Sequence, residues 1–206
     1  MTIYYFGLTC FRVQDGGASL LFDPFPENQK AGLKLPRMQN DIILYSARPE
    51  EKVSKENSFV ITTPGEYEIS GVFVYGIPAG GEGADQKIIY LTEIEGVRIA
   101  HLGLIKDGKL SDKQLERLEG VDILMVPIGG NDSLNAKQAA EIINELEPRV
   151  VIPMNYQLPG IKTKLNTLEE FKKEMGGKFE TVDKLKIGKK DLPEEETKFF
   201  ILEQSS

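Results

Sequence analysis

The chain has 206 residues, 40% hydrophobic residues and a formal net charge of -7. This length predicts one domain, residues 1–206, with enough apolar residues for a sizeable core. The negative charge disfavours a phosphate backbone as partner, and no apolar run is long enough to span a membrane. The single cysteine excludes an internal disulfide. We therefore expect a cytoplasmic protein that binds neither nucleic acid nor membrane.

The first half of the chain predicts short β-strands joined by tight turns. Asp15-Gly16-Gly17 and Glu95-Gly96 have the composition of hairpin turns. The predicted strands cover residues 3–6, 11–14, 19–22, 41–45, 59–62, 67–69, 72–76, 87–94 and 97–101.

Three helices are predicted in the second half, each preceded by a residue that can cap its first turn. The caps and helices are Ser111 before 112–118, Asn135 before a helix ending at Leu146, and Thr167 before a helix ending at Gly176-Gly177. Apolar strands are predicted at 123–127, 150–153 and 199–202. The charged segment 184–198 is predicted to be a solvated loop.

Several longer segments occur where these strands end. They are Leu-Phe-Asp-Pro-Phe at 21–25, Pro-Gly-Glu-Tyr-Glu at 64–68 running to Gly-Ile-Pro-Ala at 76–79, Gly-Val-Arg-Ile-Ala-His-Leu-Gly at 96–103, and 121–130 continued by Val-Val-Ile-Pro-Met-Asn-Tyr at 150–156. In this order, over about residues 1–160, the chain resembles the metallo-β-lactamase fold, in its ascorbate-lactonase-like branch of zinc-dependent hydrolases. The resemblance implies an α/β protein, an αββα four-layer sandwich of two mixed β-sheets face to face with helices outside. It also implies an active site at one edge of the sandwich.

The side chains that bind metal in that family are replaced here. By the resemblance, the vacated metal-site positions are Ala47, Pro49, Glu51, Lys52, Gly81, Leu104 and Asn155. The chain has only one histidine and one cysteine, whereas zinc favours several imidazole or thiolate ligands. We therefore expect no bound zinc and no cofactor.

Four residues near these positions are candidates for a remaining pocket: Asp23, Arg48, His101 and Tyr156. His101 could be a catalytic base, but a single histidine that ends an apolar strand favours a packed, hydrogen-bonded core residue. Asp23 could support a metal site, and the favoured alternative is a turn residue that caps backbone N–H groups. Cys10 is predicted to be buried.

Cations in the vacated loop suggest what such a pocket could attract. Arg48 and Lys52 could bind a carboxylate or phosphate, or could belong to a solvated loop with Glu50 and Glu51. With the metal lost, Leu104 is expected to pack among apolar neighbours.

The leading hypothesis is a catalytically degenerate, zinc-free scaffold that binds a small anionic ligand or a protein partner. The alternative is a metal-dependent hydrolase whose Mg²⁺ or Mn²⁺ is held by oxygen donors. Those donors would be Glu50, Glu51, Glu82 and Asp85. A structural homo-oligomer is a third possibility.

Overall fold

The structure is a computed structural model that describes residues 1–26, 33, 35–49 and 57–205. In these residues the elements are β1 (Thr2–Gly7), β2 (Cys10–Gln14), β3 (Ser19–Phe22), β4 (Ile42–Leu44), β5 (Phe59–Ile61), β6 (Gly65–Ile69), β7 (Val72–Pro78), β8 (Ile88–Ile94), β9 (Val97–His101), α1 (Asp112–Leu118), β10 (Ile123–Pro127), α2 (Ala136–Leu146), β11 (Val150–Met154), α3 (Leu168–Met175), β12 (Phe179–Val182), β13 (Leu185–Lys186) and β14 (Lys198–Leu202). The predicted strands of the first half are all present, with ends that differ by at most two residues.

The strands form two mixed sheets, which confirms the predicted fold class. The six-stranded sheet has the order β13-β1-β2-β3-β4-β5, and the eight-stranded sheet has the order β12-β14-β11-β10-β9-β8-β7-β6. In the first sheet β3, β4 and β5 are parallel, while β1, β2 and β13 are antiparallel to their neighbours. In the second sheet the parallel strands run from β12 to β9, and hairpins add β8, β7 and β6.

Successive side chains along each strand point to opposite faces of the six-stranded sheet, and both faces are apolar. Tyr5, Leu20 and Leu44 belong to the main core shared with the eight-stranded sheet. Leu21 and Ile43 point to the opposite face and form a second cluster. Loop residues help to cover that second face: Phe25, Leu33, Leu35, Met38, Leu158, Ile161 and Leu165. The sheet is therefore buried on both sides, which explains why its central strands are continuously apolar.

Helices α1, α2 and α3 each begin with a capping box. Ser111, Asn135 and Thr167 each accept a bond from the backbone N–H three residues later, and the side chain there bonds back. The three caps predicted from sequence are thus confirmed. Because crossovers between parallel strands are right-handed, α1 and α2 lie on the same outer face of the eight-stranded sheet. In the part of the chain that the structure describes, no helix is long and apolar enough to cross a membrane.

The prediction of a solvated loop at 184–198 was wrong. Leu185, Ile187 and Leu192 are buried, and the segment contains β13 and a short 3₁₀ turn. The apolar residues are spaced among charged ones, so that each enters the core while its charged neighbours face water. Strand β13 pairs with β1 at the edge of the six-stranded sheet. Strand β12 was also missed.

A buried carboxylate fastens this C-terminal segment to the eight-stranded sheet. Asp122, only 3% exposed, precedes β10 and accepts a 2.9 Å bond from the backbone N–H of Arg98. Lys189 Nζ, from the 3₁₀ turn, lies 3.1 Å from Asp122 Oδ2. Arg149 Nε lies 3.6 Å from Oδ1 of the same carboxylate. One side chain therefore joins β9, β10, the start of β11 and the C-terminal turn.

Replacing Asp122 with alanine is expected to lower the free energy of unfolding by about 1–3 kcal/mol, because the Arg98 N–H loses its acceptor. Chemical denaturation measures the change. Asp183→Ala is the matched control, since that carboxylate is 75% exposed and, among the described residues, its one ion pair is with neighbouring Lys184. The control substitution should lower the free energy of unfolding by less than about 0.5 kcal/mol. Equal midpoints for the two variants would contradict a structural role for Asp122.

Candidate functional site

The loop after β4 meets the start of β8 and the end of β9 at one edge of the sandwich. The Ser46 carbonyl accepts a 2.8 Å bond from the Ile88 N–H, and Ala47 forms a β-bridge with Lys87. Gly103, just after β9, lies against Ser46: a Cβ built on Gly103 would be 2.5 Å from Ser46 Cβ. Gly103 also has φ +60°, so both the space and the backbone require glycine.

An open cleft of about 550 Å³ lies at this edge. Its lining combines two vacated metal-site positions with residues of both charges. The lining residues are Ala79, Gly80, Gly81, Asp85, Lys87, Leu104, Lys106, Asp107 and Asp132.

The Asp23 carboxylate joins the ends of β3 and β4. Its Oδ1 accepts the Ser46 N–H at 2.6 Å, and its Oδ2 accepts the Ser46 hydroxyl at 2.6 Å. Asp23 has φ 43°, a left-handed conformation that aspartate tolerates better than most residues. The geometry agrees with the interpretation of Asp23 as a turn residue that caps backbone N–H groups.

His101 is fully buried, and both of its ring nitrogens are hydrogen-bonded to backbone. Nε2 lies 2.9 Å from the Thr9 carbonyl oxygen. Because a carbonyl only accepts, Nε2 carries the hydrogen and Nδ1 is left to accept the Gly103 N–H at 3.2 Å. The ring also stacks on Phe22, with centroids 4.9 Å apart. The interpretation of His101 as a packed core residue is confirmed.

Burial is the main influence on the His101 imidazole, and it lowers its pKa from the ordinary value of 6.5. The nearby Asp23 carboxylate and the Thr9 carbonyl act in the opposite direction but do not overcome desolvation. His101 is therefore neutral at neutral pH. Its Nε2 lies 4.0 Å from Asp23 Oδ2, and this contact is not an ion pair in that state.

Asn155 occupies the position of the family's final histidine by the sequence resemblance, and its side chain orders a neighbouring loop. Its Nδ2 donates to Ser133 Oγ at 2.9 Å, and Ser133 Oγ donates to the Gly130 carbonyl at 3.1 Å. The Asn155 backbone N–H donates to the Leu8 carbonyl at 2.8 Å. The Asn155 side chain is thus hydrogen-bonded to the loop between β10 and α2.

None of the four proposed pocket residues is among those that line the cleft. Tyr156 is 4% exposed and stacks on Tyr5, with ring centroids 6.2 Å apart. Burial raises the Tyr156 pKa to about 12, so the hydroxyl stays protonated. His101 is likewise in the core. Aromatic packing draws the rings of both residues inward. Arg48 is exposed.

The positions that the resemblance predicts to be vacated have different surroundings. Gly81 and Leu104 line the cleft, and Ala47 pairs with Lys87 of the same lining. Ala47 and Pro49 are half-buried. Glu50, Glu51 and Lys52 lie outside the described residues.

Leu104 does not have the apolar surroundings expected from the sequence. It is half-buried and shares the cleft with charged side chains, whereas Leu102 is fully buried two residues earlier. The chain turns at Gly103, and that turn carries Leu104 out of the core to the edge of the sandwich.

The donors in the described residues do not fit a zinc ion. His101 has both nitrogens engaged, and burial raises the pKa of the Cys10 thiol and disfavours the thiolate. Among residues 1–26, 33, 35–49 and 57–205, no three His, Cys, Asp or Glu side chains converge where they could hold a metal. Of the four oxygen donors proposed for another metal, Glu82 and Asp85 are exposed, and Glu50 and Glu51 lie outside the described residues.

The charged lining of the cleft was not foreseen. Lys106 Nζ lies 2.8 Å from Asp132 Oδ1, and this contact raises the Lys106 pKa and lowers that of Asp132. Lys87 Nζ makes no hydrogen bond or ion pair with any described residue, but its charge also lowers the Asp132 pKa. The two-glycine turn before β8 was a weak signal for this arrangement. No local sequence feature marks Thr9 as the hydrogen-bond partner of His101, because the two residues are 92 positions apart.

The sandwich with an edge cleft at its strand ends defines the class as the metallo-β-lactamase fold. Residues 2–155 match the family described as beta-lactamase superfamily domain, and the chain belongs to this superfamily. A UPF0173 metal-dependent hydrolase of Thermococcus onnurineus is 29% identical, with 87% of this chain and 94% of that protein covered. A UPF0173 protein of Pyrococcus furiosus is 30% identical over 85% of this chain and 90% of its own length.

Solved structures give the same fold. A Thermotoga maritima protein, described as a Zn-dependent hydrolase of the metallo-β-lactamase superfamily, superposes with a TM-score of 0.81 at 26% identity. That alignment covers 98% of this chain and 99% of the other. Igni18, a metallo hydrolase of Ignicoccus hospitalis, gives a TM-score of 0.62 at 18% identity over 84% and 89% of the two chains. At this identity, the match to Igni18 shows only the fold.

The buried imidazole predicts a specific pH dependence of stability. Because the folded His101 pKa lies below 6.5, the unfolded chain takes up this proton first as pH falls. Stability is therefore full above about pH 6.5 and declines toward the folded pKa, by at most about 1.4 kcal/mol per pH unit. Denaturant titrations of the parent and His101→Gln, from about pH 7.5 to about pH 5.5, isolate this contribution. Parallel plots of stability against pH for the two proteins would exclude this contribution of His101.

The half-buried position of Leu104 predicts a modest cost for Leu104→Asp. We expect the free energy of unfolding to fall by about 1–2 kcal/mol. The loss is small because part of the Leu104 side chain already contacts water and the new carboxylate can remain solvated. Leu102→Asp is the matched control and should cost more than about 4 kcal/mol, since it puts a carboxylate in the core. Denaturation midpoints give both values. Similar losses for the two variants would mean that Leu104 is a core residue.

Proposed function

We propose that this chain is a metal-independent, non-hydrolytic member of the superfamily that binds a ligand in the edge cleft. The observation that carries the proposal is the state of His101. The only imidazole of the chain is buried, with Nε2 donating to the Thr9 carbonyl and Nδ1 accepting from Gly103. It cannot ligate a metal or accept a substrate proton unless these bonds break.

Hydrolysis on this fold normally depends on a metal that activates water and polarises the substrate. The residues that the structure describes supply no equivalent of this metal chemistry. Ser46 is 1% exposed and donates its hydroxyl to Asp23 rather than to a base. His101 Nε2 lies 4.0 Å from Asp23 Oδ2, but its hydrogen is directed at the Thr9 carbonyl. Serine, aspartate and histidine are therefore neighbours here without forming a nucleophile–base pair.

The cleft supports a binding role. A volume of about 550 Å³ lies within the range of small-molecule sites. Its lining mixes an apolar side chain, Leu104, with charged groups and glycine backbone. These features suit recognition of a small polar or charged ligand without any bond-making step.

A metal-dependent hydrolase is the second candidate, because relatives carry that name. It would need oxygen donors from the vacated loop, such as Glu51, together with Glu82 and Asp85. Such a site would take a hard cation such as Mg²⁺ or Mn²⁺.

Zinc analysis and hydrolysis assays test the proposal on the intact protein. After incubation with zinc and desalting, the parent should retain no stoichiometric metal. Lactones, phosphodiesters and β-lactams should be cleaved no faster than in buffer, with or without Mn²⁺ or Mg²⁺. Metal-dependent turnover that Glu51→Ala abolishes would establish the second candidate instead.

The variant Asn155→His sharpens this test, because it restores one imidazole at a vacated position. Its zinc affinity should remain weaker than a Kd of about 1 μM, since a zinc site needs three or four protein ligands. Calorimetric titration of the parent and the variant measures the difference. A submicromolar site in the variant would mean that the edge retains the other ligands.

A further inference from the structure

Lys87 is a cation whose backbone is fixed while its ammonium has no partner among the described residues. The Lys87 N–H donates to the Gly80 carbonyl, and its own carbonyl accepts the Ala79 N–H, both at 2.8 Å. The bridge to Ala47 holds the same residue from the other side. The side chain is half-buried, lines the cleft and forms no ion pair within the described chain. Because its backbone is already fixed, Lys87 would lose no backbone entropy on binding an anion.

The other ammonium of the cleft is already neutralised. Lys106 is paired with Asp132, and the mutual pKa shifts keep both groups ionised at neutral pH. Asp85 and Asp107 also line the cleft, so that three carboxylates face two ammonium groups. This balance disfavours a dianion such as phosphate more strongly than an anion with a single charge.

The remaining lining is apolar side chain and bare backbone. Leu104 and Ala79 are both half-buried and offer carbon atoms to a ligand. Gly81 must stay glycine, because a Cβ there would lie 2.2 Å from the Asp85 carbonyl oxygen, and its φ is +71°. Gly80, with φ +105°, has open space where a Cβ would be. A ligand can therefore approach this wall closely.

We propose that the cleft binds a small organic carboxylate with an aliphatic body, whose carboxylate pairs with Lys87 and whose carbon chain contacts Leu104. The inference rests on the proposed function and adds the class of ligand. This edge of the sandwich would then recognise a single negative charge with an ammonium whose residue has a fixed backbone, in place of a metal.

Two-dimensional NMR of the metal-free, full-length protein tests this with 4-methylpentanoate as the probe. The backbone amides of Gly81, Lys87 and Leu104 should shift and saturate. The uncharged isostere 4-methylpentanamide should bind at least about tenfold more weakly, because it cannot pair with the ammonium. Inorganic phosphate should also bind more weakly. Equal binding of acid and amide, or stronger binding of phosphate, would overturn the inference.

Matched variants locate the interaction. Lys87→Gln should weaken 4-methylpentanoate binding by about tenfold or more, whereas Lys87→Arg should stay within about threefold of the parent. Lys113→Gln removes an exposed lysine that lines a different groove and should leave binding unchanged. Undiminished binding by Lys87→Gln, or an equal loss in Lys113→Gln, would refute the assignment.

Failure of this inference can be distinguished from failure of the proposed function. A metal-free parent that shows no shift with 4-methylpentanoate overturns the carboxylate site alone. Binding that appears only after zinc is added overturns both, because the anion would then be held by metal. Stoichiometric zinc in the parent, with unaltered carboxylate binding to metal-free protein, overturns the metal-independent function alone.

Discussion

A buried imidazole must keep its hydrogen-bond partners, and this requirement shapes the junction between the two sheets. His101 ends a strand of the eight-stranded sheet, while Thr9 lies in the turn between the first two strands of the other sheet. Leaving one ring nitrogen unsatisfied would cost about 1–3 kcal/mol, so the Thr9 carbonyl is held in place. The Gly103 N–H is held on the opposite side of the ring. The path of the chain toward the edge cleft follows from these two bonds.

Polar groups around the cleft edge of the sandwich are largely hydrogen-bonded to one another. Asp23 is satisfied by Ser46, and Asn155 donates to Ser133. These bonds support the fold, and they leave the outward surface of the edge to lysines, aspartates and Leu104. The polar groups at this edge form a closed network, with an open cleft beside it. This division supports a binding role, because a rigid wall can recognise a ligand without taking part in chemistry.

Local patterns made much of the fold predictable. The three helix starts follow from capping residues and their partners three positions on, which needs no tertiary information. The core position of His101 was foreseen because a lone polar residue ends an apolar strand. The exposure of Leu104 was not, since it depends on a turn at Gly103 pressed against Ser46. The C-terminal segment was missed for a similar reason: its Leu185 pairs with β1 and its Lys189 pairs with Asp122, both far away in sequence.

The second apolar cluster has a consequence for how the chain acquires its structure. Leu21 and Ile43 lie on early strands, yet part of their cover comes from Leu158, Ile161 and Leu165. That face of the six-stranded sheet stays open to water until the chain has been made through this later loop. Contacts of such long sequence separation form slowly, because the loop-closure entropy is lost before the packing is gained. During synthesis, the exposed strands are thus the segment most prone to mispairing or to capture by chaperones.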